Sequence, residues 1–528
     1  MQLWVFALGW ATASYVIYKY VSSILAERRY LAEMEKRGCK LPLMQTSTLP
    51  WSVDRVYESL KADRRKAFPN IAQKRFQNAG NKTYTWKIMG SRGFFTADPK
   101  LVQAVLATQF NDFCLGYTRR GCFMPLLGNG IFTADGKAWE HSRAMLRPQF
   151  ARDQISDLSL EEKHVQNLMR ALPVDETGWT KQVDMQVLFF RYKIDTGCEF
   201  LFGESVDSQI ANLPENASKS PTGSGVTDEN LFAISFDRSQ AFTATRSRLM
   251  DLYWLYSPKE YKDSNKSVHD FVDYFVHKAL KGDFQREKEL EKGHDKDRYV
   301  FLEQLVSETR DPIELRSQLL NILLAARDTT ASLLGYLFWI LARNPEVFQK
   351  LRANIVENFG SYGNPGEISF VTLKNCQLLQ HCINETLRLY PVVPVNSRRA
   401  QRDTVLPSGG GPDGKSPMFI KKDMQVDYSV FVMHRRKDIW GEDAEEFRPG
   451  RWVGRKPGWE YLPFNGGPRI CLGQQLALTE ASYVITRLLQ RFDGIENCGP
   501  LQMEPKHNLT LTSCPAEGVV IKLHEAKA

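Results

Sequence analysis

FNGGPRICLG, residues 464–473, is the most informative stretch of this 528-residue chain. It places Cys471 at the predicted start of a helix, where unpaired backbone N–H groups and the helix dipole favour a thiolate. Gly466 and Gly473 leave room for the backbone to approach a large flat group, and Arg469 supplies a cation two residues before the sulfur. A thiolate held in this way suits iron, and haem iron with a thiolate ligand is electron-rich enough to split dioxygen. The common role of a lone cysteine, packing in the core, leaves the glycines and the arginine unexplained.

These ten residues resemble the haem-binding loop of cytochrome P450 monooxygenases, F-x-x-G-x-R-x-C-x-G, at every fixed position. The resemblance implies that Cys471 is the axial ligand of haem b (iron protoporphyrin IX). It also places Phe464, Gly466, Arg469 and Gly473 in the cofactor-binding loop. The implied fold is mainly α with a small β portion, in one catalytic domain.

An acid and a base stand at i and i+3 in ETLR, residues 385–388, and so share one helix face. An isolated pair of this kind is usually a surface ion pair that contributes little. Here it resembles the family's E-x-x-R, and FRPGRW at 447–452 resembles the segment that supplies a second arginine. The resemblance implies that Arg388 and Arg451 share Glu385 in a hydrogen-bonded cluster that braces the segment before the haem loop.

The apolar segment 319–342 carries Arg327 and Asp328 at its middle, where charge is costly in a membrane, so a buried core helix is predicted. Its sequence AARDTT resembles the family's oxygen-activation motif. The resemblance implies that Thr329 hydrogen-bonds the oxygen being activated, while Asp328 relays protons inward. Ala326 stands where many members have glycine, which predicts a narrower oxygen groove. The alternative for a lone threonine is a hydrogen bond back to its own helix.

Further cations match the family's contacts to the haem propionates. Trp139 and Arg143 stand at i and i+4, like the W-x-x-x-R of the helix that holds a propionate. Arg398, seven residues beyond Pro391, matches a second propionate arginine. With Arg469, three cations would then face two carboxylates.

The first 25 residues, MQLWVFALGWATASYVIYKYVSSIL, are largely apolar and are followed by Arg28 and Arg29. This pattern predicts one membrane-spanning helix with the rest of the chain in the cytosol. The alternative is a cleaved signal peptide, for which residues 11–13 resemble a cleavage site, but the basic start is lacking. The family resemblance adds the expectation of a single-pass protein of the endoplasmic reticulum membrane.

Residues 26–52 are predicted to be a linker, because Pro42 and Pro50 limit regular structure, and residues 53–528 to be the catalytic domain. Apolar periodicity predicts long helices at 315–343, 373–390 and 472–492. Short strands are predicted at 83–89, 418–428 and 518–523, and an exposed loop at 214–229.

Composition excludes few classes of protein. The net charge of +8 comes from scattered lysines and arginines, without the basic runs and stacking aromatics of a nucleic-acid site, and it suits an acidic partner or an anionic membrane. The nine cysteines show no CxxC pair and no regular spacing, which favours a reducing compartment over a disulfide framework or a zinc site.

GGGPDGKS at 409–416 fits the phosphate-binding pattern G-x-x-x-x-G-K-[ST] of nucleotide hydrolases. That pattern binds phosphate only between a buried strand and the start of a helix. Here a polar stretch ending at Pro407 precedes it and a strand-like stretch follows it, so a turn between two short strands is predicted. A P-loop hydrolase is therefore rejected.

The predicted activity is insertion of one oxygen atom of O2 into a C–H bond of a hydrophobic small molecule. No nucleotide-binding fingerprint is found, so the electrons are expected from an NADPH-dependent cytochrome P450 reductase in the same membrane. A haem-thiolate isomerase is disfavoured because it does not need Asp328 and Thr329.

The segments 126–152, 198–208 and 406–417 resemble fungal alkane and fatty-acid hydroxylases, and three nearly uncharged segments, 122–127, 391–395 and 509–512, are candidate linings. Hydroxylation of a long aliphatic chain near its end is thus predicted. The alternative is oxidation of the aliphatic part of a secondary metabolite such as a polyketide.

Overall fold

Helices form most of the protein, and short strands form four small sheets. The computed structural model describes residues 2–45, 47–80, 82–88, 90–150, 158–213, 216, 229–282, 300–502 and 504–527. The prediction of a mainly α protein with a small β portion is confirmed. Most of the exposed loop predicted at 214–229 lies outside the described residues.

The α-helices of this part of the chain are α1 (Gln2–Lys36), α2 (Val53–Arg64), α3 (Phe68–Asn78), α4 (Pro99–Gln103), α5 (Tyr117–Leu127), α6 (Gly136–Leu146), α7 (Ser159–Arg170), α8 (Met185–Phe202), α9 (Ser208–Ala211), α10 (Glu229–Arg248), α11 (Lys259–Leu280), α12 (Phe301–Glu308), α13 (Pro312–Leu341), α14 (Pro345–Phe359), α15 (Phe370–Asn375), α16 (Gln377–Leu389), α17 (Val430–Met433), α18 (Lys437–Trp440) and α19 (Gln474–Arg491). Shorter 3-10 turns include Pro449–Trp452 and Gly467–Arg469.

The strands are β1 (Leu43–Met44), β2 (Tyr84–Ile88), β3 (Ser91–Thr96), β4 (Phe113–Cys114), β5 (Val183–Asp184), β6 (Val395–Ala400), β7 (Thr404–Gly410), β8 (Ser416–Ile420), β9 (Gln425–Ser429), β10 (Phe492–Asn497), β11 (His507–Leu509), β12 (Ser513–Pro515) and β13 (Val520–Glu525). The largest sheet has the order β1-β2-β3-β9-β6-β4, and β7 pairs antiparallel with β8.

Helix α13 is the long central helix of the core. Pro312 occupies its first turn, and the side chain of Asp311 caps it by accepting a hydrogen bond from the N–H of Ile313 at 3.0 Å. Almost every side chain from Leu315 to the C-terminal end of the helix is buried, because α8, α11, α16 and α19 surround it. A buried core helix was predicted for this segment, and its observed bounds differ from the predicted 315–343 by a few residues.

Two predicted elements are divided in the structure. The helix predicted at 373–390 breaks at Cys376 into α15 and α16, because Cys376 takes a non-helical ψ of 89°. The strand predicted at 418–428 is the pair β8 and β9, separated by a turn in which Asp423 has a φ of 69°. Apolar periodicity locates both regions correctly. It does not detect a break that one non-helical or turn residue causes.

The predicted membrane-spanning helix at the N-terminus is not confirmed. Residues 2–36 form the single helix α1, yet no helix within the described ranges is long and apolar enough to cross a membrane. The physical reason lies in its composition, since Trp10, Tyr15, Tyr18, Lys19 and Tyr20 lower its apolarity, and such side chains favour the boundary between membrane and water.

The predicted linker is also largely structured. Residues 26–36 belong to α1, where Tyr30 is buried, stacks on Phe419 at 5.5 Å between ring centroids and donates its hydroxyl to the Phe419 carbonyl. Farther along, β1 pairs in parallel with β2. These contacts with residues distant in sequence fix the segment to the catalytic domain. Two prolines in the sequence do not reveal such contacts.

Candidate functional site

The loop that carries Cys471 is held by short-range backbone contacts. The N–H of Cys471 donates to the Phe464 carbonyl at 3.0 Å and closes the loop. Asn465, with a φ of 62°, donates to the Arg469 carbonyl at 3.2 Å and accepts from the Tyr428 hydroxyl at 3.0 Å. The loop is therefore tied both to itself and to β9, and the direction of the cysteine side chain is fixed.

Two glycines of the loop lie close to other protein groups. A Cβ at Gly466 would lie 2.8 Å from the ring of Trp459, so this glycine makes room for an indole of the same loop region. Gly467, which the sequence analysis did not single out, has a φ of +67° and would place a Cβ 1.9 Å from the Leu106 carbonyl. A Cβ at Gly473 would meet only an ordinary contact with Phe150 at 3.4 Å. The adjacent second glycine was the available sequence clue to Gly467.

Cys471 is a free cysteine that is exposed although protein surrounds its thiol. We infer from these two facts that the sulfur faces an internal space. Burial raises the pKa of its thiol, while the N–H of Gly473 and the charge of Arg143 lower it only in part. Helix α19 begins at Gln474, two residues later than predicted, with Gly473 as its N-cap. A metal cation bound to the sulfur would favour the thiolate against this effect of burial.

One face of α13 is open although the helix is otherwise enclosed. Ala325, Ala326 and Thr329 are half-exposed, whereas Leu324 and Thr330 beside them are buried. The three open positions are spaced i, i+1 and i+4 and so lie on one side of the helix. Helix α13 packs against α19, the helix that follows Cys471. The open face and the open sulfur thus belong to two elements in contact.

Thr329 makes the hydrogen bond of the alternative interpretation, since its hydroxyl donates to the Ala325 carbonyl at 2.6 Å. A hydroxyl oxygen that donates one hydrogen bond still has lone pairs to accept another. Because the side chain lies on the open face, Thr329 combines a fixed hydroxyl with access to the internal space.

The charged pair in α13 is part of a longer ionic chain. Arg327 donates to Asp328 at 3.0 Å and to Asp237 of α10 at 2.6 Å. Burial raises the pKa of Asp328 to about 6, an effect that Arg327 opposes, Asp237 reinforces and a hydrogen bond from Gln240 opposes. Asp328 is thus able to take up and release protons near neutral pH. Asp237 and Gln240 were not predicted, because they are distant in sequence and lie in a segment without a motif.

Three arginines converge beside the loop. Arg119 and Arg398 both donate to the Asn396 side chain, at 2.7 and 3.3 Å, and Arg469 donates to Asp135 at 2.8 Å. The pKa of Arg119 is lowered to about 10 and the pKa of Arg469 to about 9. Burial is the main cause of both shifts, and repulsion from Arg398 is the second. Within the described ranges, Asp135 is the only carboxylate in ion-pair contact with any of the three arginines. The cluster therefore has an excess of positive charge suited to anionic groups.

Arg398 and Arg469 were predicted from the sequence, whereas Arg119 was not. The available clue was the basic pair Arg119-Arg120 in the first turn of α5, just before the apolar segment that ends this helix. Its position beside Arg398 depends on how α5 packs, and that packing is not readable from local sequence.

Trp139 lies between two of the predicted cations. The guanidinium carbon of Arg469 lies 4.4 Å from the ring centre of Trp139, and the guanidinium carbon of Arg143 lies 5.8 Å from it. Arg143 also donates to the Ile470 carbonyl at 3.0 Å, which places it next to Cys471. The i, i+4 spacing in α6 thus brings both side chains to the loop, with Arg143 on the cysteine side.

Glu385 is the centre of a fully buried ionic cluster. Its two carboxylate oxygens accept from Nε and Nη2 of Arg388, both at 2.8 Å, and from Nε of Arg451 at 2.8 Å. They also accept from the indole of Trp452 at 3.1 Å and the backbone N–H of Arg448 at 2.9 Å. The structure brings the three predicted residues together and fixes α16 to the 3-10 turn Pro449–Trp452.

Arg388 extends this cluster to the chain beyond α17. Its Nη1 donates to the carbonyls of His434 and Ala444, at 2.8 and 2.6 Å, and its Nη2 donates to the Glu446 carbonyl at 3.0 Å. All five N–H groups of the guanidinium region are thereby directed at protein oxygens. The cluster braces the connection that leads to the Cys471 loop.

These features fit a haem. A free cysteine opens onto an internal space, one face of α13 offers small side chains and a hydroxyl, and buried arginines in excess over carboxylates suit two propionates. Thiolate sulfur is an established protein ligand of haem iron.

The residues 409–416 form the end of β7, a turn and the start of β8. Gly409, Gly411 and Gly414 have positive φ values, and Lys415 is followed by a strand. A phosphate-binding loop needs the start of a helix at this point. The sequence match at 409–416 therefore lacks the structure that would bind phosphate.

Comparison with known proteins gives a consistent result. A family model described as Cytochrome P450 matches residues 55–518. Cytochrome P450 monooxygenase g430 of a Fusarium species is 52% identical over 515 residues, covering 97% of this chain and 89% of that protein. Cytochrome P450 52A12 of Debaryomyces hansenii is 46% identical over 495 residues, covering 93% of each chain. Cytochrome P450 monooxygenase alt2 of Alternaria solani is 42% identical over 502 residues, covering 93% of this chain and 92% of that protein.

Proposed function

Because the chain belongs to the cytochrome P450 family, we propose that this monooxygenase hydroxylates long-chain alkanes or fatty acids at or near the end of the chain. The observation that carries the catalytic part of the proposal is the free and exposed Cys471, which lies just before α19, a helix that packs against α13. The Cys471 side of this arrangement would hold the cofactor, and the open face of α13 would line the substrate site.

Haem b held by the Cys471 thiolate would supply the oxidising chemistry, in which one atom of O2 enters a C–H bond and the other leaves as water. Arg119, Arg398 and Arg469 would hold the two propionates by charge-assisted hydrogen bonds, with Trp139 packed against Arg469. The Glu385 cluster keeps the connection to the loop rigid and so fixes the direction of the sulfur.

Asp328 and Thr329 would handle the protons of the reaction. Asp328 can take up and release a proton near neutral pH because burial raises its pKa to about 6, against the opposing effect of Arg327. The Thr329 hydroxyl donates to the Ala325 carbonyl at 2.6 Å, so its oxygen can accept a hydrogen bond from the internal space. On turning away from that carbonyl, the same hydroxyl would donate toward the oxygen substrate. General acid catalysis of this kind needs a group whose pKa lies near the working pH.

The substrate assignment rests on apolar side chains around the open face. Phe123 and Leu511, from two of the three candidate lining segments, are half-buried and pack on the same apolar cluster as Leu324 of α13. Each CH2 group buried in such a slot stabilises the complex by about 0.8 kcal/mol. In the third segment, Val392 is buried in the core and Val393 is exposed, so this part supports a packing role more than a lining role.

We also propose attachment to the endoplasmic reticulum membrane and electron transfer from an NADPH-cytochrome P450 reductase. Exposed Trp10, Tyr15, Tyr18 and Tyr20 on α1 support the first proposal, since such side chains favour a membrane interface. The net charge of +8 supports an acidic electron donor. Cell fractionation tests the attachment: the whole chain should sediment with reticulum membranes and a variant lacking residues 2–25 should be released, while equal release of both would contradict it.

The cysteine assignment is tested by Cys471→Ser, with Cys498→Ser as the matched control. A neutral hydroxyl cannot replace the anionic sulfur at iron, so the reduced carbon-monoxide spectrum of the first variant should lose the band typical of thiolate ligation. Cys498→Ser should retain it. An unchanged spectrum for Cys471→Ser would remove this residue as the ligand.

The substrate proposal is tested with purified protein, reductase and fatty acids and alkanes of increasing length. Affinity should rise with length until the slot is full, and oxidation should occur at the terminal or adjacent carbon. Affinity independent of length, or mainly in-chain products, would overturn the proposal and favour the aliphatic part of a secondary metabolite.

A further inference from the structure

A chain of three charged side chains connects the interior of the protein to its surface. The Asp328 and Arg327 side chains of α13 are each only 4% exposed, whereas the Asp237 side chain of α10 is 60% exposed. Arg327 lies between the two carboxylates, at 3.0 Å from Asp328 and at 2.6 and 3.3 Å from the two oxygens of Asp237. One end of the chain is therefore in contact with solvent and the other lies next to Thr329.

The link between α10 and α13 depends on this chain. Helix α10 packs mainly against α11 and α5, and the contacts of Arg327 with Asp237 and of Asp328 with Gln240 join it to α13. The guanidinium carbon of Arg327 also lies 5.7 Å from the ring centre of Phe236 on α10 and 5.0 Å from that of Phe190 on α8. Arg327 is thus held in one position by aromatic rings and by the bidentate contact to Asp237.

The groups around Asp328 comprise one further carboxylate, one cation and otherwise neutral side chains. From α10 it faces Asp237 and the neutral Gln240, from its own helix Arg327, and from β12 the thiol of Cys514. Burial raises the pKa of Cys514 to about 12, so this thiol is neutral at physiological pH. On the α8 side, Cys198 faces Arg327, and burial raises the pKa of its thiol well above the usual value. Two carboxylates therefore share one cation.

We propose that Asp237 is a positioning residue for proton delivery: it holds Arg327 between two carboxylates and thereby keeps Asp328 able to exchange a proton with solvent. The proposal rests on the proposed role of Asp328 as the proton donor to the internal space. In each cycle a proton from solvent would bind the Asp328 carboxylate, and the same proton would leave toward the Thr329 hydroxyl, so the carboxylate returns to its starting state. Arg327 keeps its own proton throughout, because its two carboxylate neighbours more than offset the effect of burial and raise its pKa.

Removing the charge of Asp237 should change Asp328 in a defined direction. Arg327 would then pair with Asp328 alone, and the repulsion that Asp237 exerts on a second negative charge would be lost. Both changes favour the carboxylate form of Asp328, so its pKa should fall and it should carry a proton less often at neutral pH. The change would weaken proton delivery without touching the cofactor or the substrate.

The test measures Asp328 directly. In the holoenzyme, infrared difference spectra over a pH series report the protonated carboxyl group, and the band of Asp328 is the one absent from Asp328→Asn. The midpoint should lie near 6 in the parent protein and fall by about one pH unit or more in Asp237→Asn. Asp237→Glu should restore the midpoint. Asp263→Asn, which removes an exposed carboxylate from the neighbouring helix α11, should leave it unchanged.

A second readout is the share of NADPH electrons lost to hydrogen peroxide, which should rise in Asp237→Asn and return to the parent level in Asp237→Glu. If Asp237→Asn does not accumulate as folded protein, Asp237→Ser removes the same charge from this exposed position. An unchanged Asp328 midpoint in the charge-removing variant, or no Asp328 band at any pH, overturns the proposal. If Asp328→Asn itself leaves peroxide loss unchanged, the proposed proton role fails. A failure confined to Asp237 leaves that role intact.

Discussion

The protein contains two buried ionic clusters that differ in one respect, contact with solvent. Glu385 and Arg388 are fully buried, and every carboxylate oxygen and guanidinium nitrogen of the pair is directed at protein donors or acceptors. Arg327 and Asp328 are almost as buried, but their chain ends at the exposed Asp237, and Nε of Arg327 has no hydrogen-bond partner in the structure. The first cluster is closed and the second is open.

A closed cluster and an open one suit different tasks. When both charges are enclosed and fully hydrogen-bonded, loss of either leaves an uncompensated buried charge, so the arrangement resists change and fixes geometry. When two carboxylates share one cation beside solvent, one carboxylate is held near its protonation midpoint and can exchange a proton. The comparison predicts a structural role for Glu385 and a chemical role for Asp328.

The largest expected effect comes from Glu385→Gln. The amide keeps the shape of the side chain but leaves Arg388 and Arg451 without their shared counter-ion, which should reduce the free energy of unfolding by about 3–5 kcal/mol. Urea unfolding followed by circular dichroism, together with the yield of haem-containing protein, measures the loss. Glu442→Gln, in the exposed pair with Lys437, is the control and should have no measurable effect. Equal stability of the two variants would show that the closed cluster does not fix the fold.

Thr329→Ala should have the next largest effect and tests the open region. Haem content and substrate binding should be retained, while the coupling of NADPH oxidation to product falls, because loss of one preorganised donor costs about 3 kcal/mol. Hydrogen peroxide and hydroxylated product are measured from the same reactions. Thr330→Ala is the control, since this buried neighbour donates to Glu480 at 3.4 Å and lies off the open face. Equal coupling in both variants would contradict a specific role for Thr329.

A smaller effect is expected on the pH dependence of the free energy of unfolding, which reports the raised pKa of Asp328 in the open cluster. The folded-state pKa of Asp328, about 6, lies above the ordinary value of 3.8, so the folded protein binds this proton more tightly than the unfolded chain. The contribution of Asp328 to stability is therefore highest at low pH and declines as pH rises through 6. Between pH 5 and pH 7, the free energy of unfolding of the parent should fall by about 1 kcal/mol relative to Asp328→Asn. Parallel curves for the two proteins would contradict the raised pKa.

The smallest effect is expected outside both clusters, at Lys415. This residue lies in the turn between β7 and β8, so Lys415→Ala should leave haem content and turnover within about twofold of the parent. Spectroscopic haem quantitation and turnover assays provide the measurement. A large loss that added ATP restores would instead reveal a working phosphate site in this turn.

Local sequence was sufficient where one helix or one loop carries the whole arrangement. The spacing of Glu385 and Arg388 places both side chains on one face of α16, and the Cys471 loop is closed by contacts within ten residues. Apolar periodicity located α13 for the same reason, since a helix buried on all sides shows its environment in its own composition. Family resemblance then supplied the partner Arg451, which the structure places at 2.8 Å from Glu385.

Tertiary structure alone decided contacts between distant segments. Arg119 and Arg398 meet at the Asn396 side chain, Asp237 reaches Arg327 across 90 residues of sequence, and Gly467 is required by the approach of the Leu106 carbonyl. The raised pKa of Asp328 was decided in the same way, because burial depends on every element packed around a group and local sequence reports only its near neighbours. The sequence by itself thus determined which residue types and local spacings were present, and the packing of distant helices determined which of them touch, which stay open and which hold a proton.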